Sequence, residues 1–431
     1  VSSIRETPTR SRRGSSGPPD SALDLAAASA CSLAIAAVPV LSYQEGLSYI
    51  PQLLALLSLL TVATKVARQY PKGVGVHRGM IAYGTLVLLF GFTLLEDPGI
   101  WNGYLTLIKV FGMALAAHFA FRSPKTLVIL FGTYCLAAVI TVAANWSDLQ
   151  DLHYAFETGA MKGQRFSGTF GNANTAALYG IMTSLSALIV VAGSKFKMRW
   201  LILCVGLGCG MLLVYFSGSR KGMLGLMLLA LFSPFIVFEF RKIRLTTVLK
   251  FAALVPVLLF GAWTLIVALP NSQRLTDLFT EGADTDGSTA ERYAMLIDAI
   301  KLWLKNPILG SGYDGFARHS AYGVYSHSTF AEILCNAGIV GMICIIIFYV
   351  FPVWDLARLI IMSNLIGLRS LHVGLLGFWI LFGVFSIFSV LFEARDFIPM
   401  GAAITGYLVA TRRRRFPSQG GKEFRRKAQI N

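Results

Sequence analysis

Apolar residues in this chain fall in long blocks rather than in the short periodic runs that a soluble core uses. Uninterrupted apolar stretches lie near 23–42, 48–66, 79–96, 101–121, 126–145, 173–193, 199–217, 222–240, 247–269, 329–351, 372–392 and 399–411. A block of about 20 residues, rising about 1.5 Å per residue, crosses a hydrocarbon core about 30 Å thick. Lipid offers the backbone no hydrogen-bond partner, so each block should close its own ladder as a helix. The pattern predicts an all-α polytopic membrane protein with about 12 transmembrane helices, nine within 23–269 and three within 329–411. Polar, basic tails occupy 1–22 and 412–431.

Most joining segments are short, with 352–371 intermediate, and two are longer than a connection requires. Segment 146–172 carries Trp146, Asp148, Asp151, His153, Glu157, Lys162 and Arg165 before Gly168, Gly171, Asn172 and Asn174. Segment 270–328 contains a helix signal from about Thr289 to Asn306, in which Tyr293, Leu296, Ile297, Ile300, Trp303 and Leu304 form an apolar stripe. Ser288 with Glu291 makes a capping box, and Pro307 marks the stop. An amphipathic helix carrying Trp next to membrane spans is expected to lie in the interface.

Composition agrees with this picture: 55% of the 431 residues are hydrophobic and 14% are charged, against about a quarter charged in a soluble domain. A net charge of +16 raises nucleic acid as a partner, but its distribution argues for a membrane. With both tails inside and the spans alternating, about 27 of the 38 Lys and Arg fall on the inner side, the positive-inside bias that sets orientation. The run Arg412 to Arg415 then reads as an anchor on anionic lipid. Segment 270–328 becomes a large loop on the outer side. None of the six cysteines forms a C-x-x-C pair, which disfavours disulfides and zinc.

Candidate chemistry gathers on the outer side. Arg292 sits in the first turn of the loop helix, where the macrodipole disfavours a cation. It is either an exposed neighbour of Glu291 or the partner of a bound anion. Arg220, beside Lys221, closes the outer end of the seventh span, and its guanidinium either snorkels or grips a phosphate bidentately. His327, between Ser326 and Ser328 at the mouth of the tenth span, is either structural or a general base. Glu332, at the top of that span, is an intramembrane acid and so a functional candidate.

Lys109, inside a span, is open between a pathway role and snorkelling. Gly206, Gly208 and Gly210 lie within a span with no preceding strand, which favours close helix packing over nucleotide binding. Asp284 and Asp286 form a D-x-D that acidic loop composition explains as well as a metal does. No Walker loop, H-E-x-x-H or G-x-S-x-G occurs.

The order of these outer residues carries a resemblance. Arg165 through Gly171 and Asn174, Ser219-Arg220-Lys221-Gly222, Arg292, Asn306-Pro307 with Gly310 and Gly312, then Ser326-His327 followed by Gly338 and Gly341, resembles the bacterial O-antigen ligase and O-antigen polymerase superfamily. The similarity covers roughly 160–345. It implies a metal-independent, inverting glycosyltransferase with no cofactor, at the periplasmic face of a bacterial inner membrane. Its donor would be a glycan on undecaprenyl diphosphate. The acceptor would be a lipid A-core sugar hydroxyl in a ligase, or a second lipid-linked unit in a polymerase. The family's histidine falls on His327 and its arginines on Arg220 and Arg292; Arg165, Asn174, Tyr313 and Glu332 are further substrate-binding candidates. Asn336 departs from the acid that many relatives carry two residues before Gly338.

The ligase is the preferred expectation, with the polymerase as the alternative. A twelve-span secondary transporter fits less well, because the halves look dissimilar and the polar residues cluster on one face. A metal-dependent transferase would use Asp284 and Asp286.

Overall fold

The computed structural model describes residues 21–41, 46–47, 49–69, 75–93, 98–157, 165–237, 287–362 and 366–415. The expected span at 247–269, the Asp284–Asp286 pair and most of both tails lie outside the described residues. Within the described residues every regular element is helical. The helices are α1 (Ala22–Leu41), α2 (Ile50–Gln69), α3 (Arg78–Phe92), α4 (Trp101–Ala120), α5 (Pro124–Ala144), α6 (Trp146–Glu157) and α7 (Ala173–Gly193). Beyond them come α8 (Arg199–Ser217), α9 (Arg220–Val237), α10 (Gly287–Lys305), α11 (Gly315–His319), α12 (Thr329–Met362), α13 (Ile366–Phe388) and α14 (Phe397–Arg415).

Nine of these helices are long and apolar enough to cross a bilayer: α1, α2, α4, α5, α7, α8, α9, α12 and α13. The protein is therefore a multi-pass membrane protein, but the expected count of twelve is not reached among the described residues. α3 is only 15 residues long, and α14 ends in four arginines that dilute its apolar stretch. Both still pack inside the bundle, α3 on α12 and α14 on α4.

α7 is the central helix and is buried almost all round, against α5, α8, α9 and α13. Its approach to α8 depends on small residues. A Cβ on Gly210 would sit 2.4 Å from the Gly180 carbonyl, and one on Gly206 would sit 2.7 Å from Ala187 Cβ. Gly206 and Gly210 are thus packing glycines, as expected, whereas Gly208 faces open space. On the outside of the bundle α2 exposes Leu53, Leu56, Leu57, Leu59 and Leu60, an apolar face that suits lipid rather than water. Lys109 is exposed on α4, so it points away from the interior, which favours snorkelling over a pathway role.

The bundle has two distinct ends. At one, Lys65 Nζ pairs with Asp24 at 2.8 Å and donates to the Ala120 carbonyl at 2.9 Å, His77 pairs with Asp355 at 3.2 Å, and Arg122 donates to the Gly406 carbonyl. This basic end collects the starts of α1, α3 and α5 and the ends of α2, α4, α12 and α14. The opposite end collects the starts of α7, α9, α12 and α14 together with α10, α11 and the turn 389–396. All seven candidate site residues lie at this second end.

Candidate active site

The breaking of α12 shapes this end. Gly338 has φ 60° and ψ −159°, a conformation open to glycine, and it divides α12 into an outer and an inner half. The backbone groups freed by the break are satisfied by segment 306–312. The N–H groups of Ile339 and Val340 donate to the carbonyls of Pro307 and Ile308, at 2.9 and 3.3 Å. In return, the N–H groups of Ser311 and Gly312 donate to the carbonyls of Cys335 and Asn336, at 2.8 and 2.9 Å. This reciprocal seam explains the spacing of Asn306-Pro307 with Gly310 and Gly312 and of Gly338. A Cβ on Gly338 would stand 2.3 Å from the Ile308 carbonyl oxygen.

α10 docks on the outer half of α12 through Met295, Ala299 and Leu302, which pack with Ala331, Cys335 and Phe316. This is a second apolar face, beside the stripe read from the sequence. The stripe read from the sequence is not the face that meets the protein: Tyr293 and Leu304 are mostly exposed, and Leu296 and Ile300 are about 40% exposed. The helix therefore has two apolar faces, one of small and flexible residues against α12 and one turned outward, where an interface would meet it.

Docking α10 brings Arg292 to His327. The imidazole is half-buried in the turn before α12, with its ring 4.6 Å from that of Tyr325. Its backbone is left-handed, φ 60°, which for a residue with a side chain costs about 1–3 kcal/mol and must be imposed from outside. Glu332 imposes it: the buried carboxylate accepts the Ser326 N–H at 2.7 Å and the Asn336 side-chain amide at 2.9 Å. Asn336 Oδ1 in turn accepts the Phe316 N–H at 2.9 Å. Glu332 therefore braces the turn, and Asn336 links it to α11.

Burial, followed by the charges of Arg292 and Lys221, holds the His327 imidazole below its usual range, with Glu291 opposing. The cationic neighbour on α9 is thus Lys221, while Arg220 stands half-buried one residue earlier at the helix start. Lys221 Nζ donates to the Phe388 carbonyl and to Ser389 Oγ, the latter at 3.1 Å. The Ser389 carbonyl accepts from Thr329 N–H and Oγ1, at 3.1 and 2.7 Å. The starts of α9 and α12 are so fixed to one turn.

Arg165 and Arg292 both lie within electrostatic reach of Lys221. Arg165 is held by Nε donating to the Ser217 carbonyl at 2.9 Å and Nη2 donating to Asn174 Oδ1 at 3.1 Å, which also accepts Ser219 Oγ at 2.9 Å. Asn174 is thereby the brace for Arg165. Among the described residues, no carboxylate forms an ion pair with Lys221 or Arg292.

Residues 202–346 match the family model for O-antigen ligase. No curated protein matches the chain. The matched segment contains Arg220, Lys221, Arg292, His327 and Glu332, whereas Arg165 and Asn174 precede it.

Lys221 and the turn 389–396 are the parts of the candidate site that sequence reasoning missed. Lys221 was visible as a second cation at an outer helix end, but Arg220 drew the attention. Tyr313, expected to bind substrate, is buried between Phe90 and Tyr104, with its hydroxyl hydrogen-bonded to Glu393. Burial, with Glu332 and Asp314 nearby, pushes the Glu393 carboxyl up to about 7, and burial pushes that of Asp396 up to about 6. Asp396 accepts the Tyr134 hydroxyl at 2.8 Å.

Proposed function

We propose that the protein is an O-antigen ligase of a bacterial inner membrane, working at the periplasmic face. It would transfer a glycan from undecaprenyl diphosphate to a sugar hydroxyl of lipid A-core, with inversion and without a metal. The observation that carries this reading is a half-buried imidazole beside two cations, where among the described residues the ring nitrogens have no hydrogen-bond partner and no carboxylate forms an ion pair with either cation.

Displacing a lipid diphosphate from a sugar carbon makes two demands. Negative charge growing on the leaving diphosphate must be stabilised, and the attacking hydroxyl must lose a proton. Arg220, Lys221 and Arg292, with Arg165 behind them, would meet the first demand by preorganised charge. His327 would meet the second as general base; such proton transfer contributes about 10²–10⁴ in rate. Burial, and then the cations, favour the neutral imidazole that can accept a proton. When the diphosphate arrives it offsets those charges, and the proton affinity of His327 rises. The base therefore strengthens once the donor is bound.

The discriminating experiment incubates purified protein with donor glycan alone and then with lipid A-core, each with and without chelator. The ligase reading expects no transfer until lipid A-core is present, and full transfer in chelator. Lengthened lipid-linked glycan from donor alone would instead make the enzyme a polymerase.

A further inference from the structure

At the end of the bundle opposite His327, α12 and α14 enclose a cleft of about 580 Å³. Arg358, Arg412 and Arg413 line it with Asp355, among apolar residues that include Leu359 and Leu408. The charges do not cancel. Asp355 is already engaged by His77 at 3.2 Å and by Arg412 at 3.7 Å, leaving three guanidinium groups facing one shared carboxylate. Arg412 remains 53% exposed despite that pair. Arg358 lies over the ring of Trp354, which is itself mostly exposed, and exposed Trp marks the level where a bilayer meets water. From Arg358 an exposed apolar strip runs back toward the bilayer along α12 through Trp354, Val350 and Ile346.

We propose that this cleft binds the phosphate headgroup of an anionic glycerophospholipid. Guanidinium forks match phosphate oxygens in pairs, and basic pockets between membrane helices are suited to anionic lipid headgroups. A free phosphate would leave the apolar part of the lining unused. A lipid uses it, because its acyl chains leave the cleft past Trp354 along Val350 and Ile346 while the headgroup stays among the arginines. The site stands on geometry separate from His327 and does not depend on the reaction proposed above.

Native mass spectrometry of the full chain tests it, with phosphatidylglycerol and phosphatidylcholine of matched acyl chains, each with and without millimolar inorganic phosphate. Retention of phosphatidylglycerol over phosphatidylcholine, undisturbed by phosphate, is the expected result. Arg358→Gln and Arg413→Gln should each weaken phosphatidylglycerol binding about fivefold, and Arg358→Lys should keep most of it. Equal retention of both lipids, or unchanged binding in the Gln variants, would overturn the proposal. So would displacement by phosphate alone, which would make the cleft a free-anion site. Should the Gln variants fail to fold, the lipid comparison on the unaltered chain and on Arg358→Lys decides.

Discussion

Among the described histidines, His118, His372 and His77 are held by Thr405, Tyr407 and Asp355, and only ring packing against Tyr325 touches the imidazole of His327. That contrast supports the proposed base. His327→Ala should lower transfer by about 10²–10⁴ while the purified protein keeps its melting temperature, as measured by single-turnover assay and thermal unfolding. Arg292→Ala carries a signed pH effect. Neighbouring cations disfavour the imidazolium, so removing one raises the pKa of His327. The acid limb of the rate profile should move to higher pH, and donor affinity should fall. Arg292→Lys should restore the limb but not the affinity, because the planar fork is gone. A limb that stays in place in Arg292→Ala would count against His327 as the base. The sequence made His327 and Arg292 legible through spacing and an awkward position on a helix dipole. It gave no sign of which cation on α9 would reach the ring, because that depends on a turn near residue 389 that is distant in the chain.

At the scale of elements, the broken α12 and its partner strip 306–312 are one construction. Breaking a membrane helix frees backbone groups that lipid cannot satisfy, so the break and the strip must fold together. Gly338→Ala meets both a positive φ and the Ile308 carbonyl. It should destabilise by about 1–3 kcal/mol from the backbone alone, with transfer lost even where protein is recovered, read by thermal unfolding in nanodiscs beside the transfer assay. The glycines and Pro307 stood out in the sequence as motif letters, but their meaning did not. A contact between residue 307 and residue 339 leaves no periodicity behind. The stripe on α10 was legible, but its assignment to one role was not. A helix with two apolar faces looks the same in sequence whichever face the protein takes.

Across the whole molecule, the membrane class followed directly from apolar blocks of bilayer length. The number of crossings was less legible, because length and hydropathy fail for α3 and α14, which are held by packing. The sidedness inferred from Lys and Arg can be measured. A membrane-impermeant maleimide should label Val324→Cys in intact spheroplasts, and should label Lys197→Cys only after permeabilisation. The reverse pattern would turn the cation cluster to the cytosol and remove the lipid diphosphate from its reach. α12 itself runs 34 residues, about 50 Å at helical rise, against a hydrocarbon core of about 30 Å. Its outer end fixes the turn that bears His327, its inner end is tied through Asp355, and between them lies one glycine joint. A change in bilayer thickness cannot be taken up by sliding a helix held at both ends, so the joint is where it is absorbed. The acyl-chain length of the host membrane thereby becomes a variable acting on the geometry of a reaction carried out at its surface.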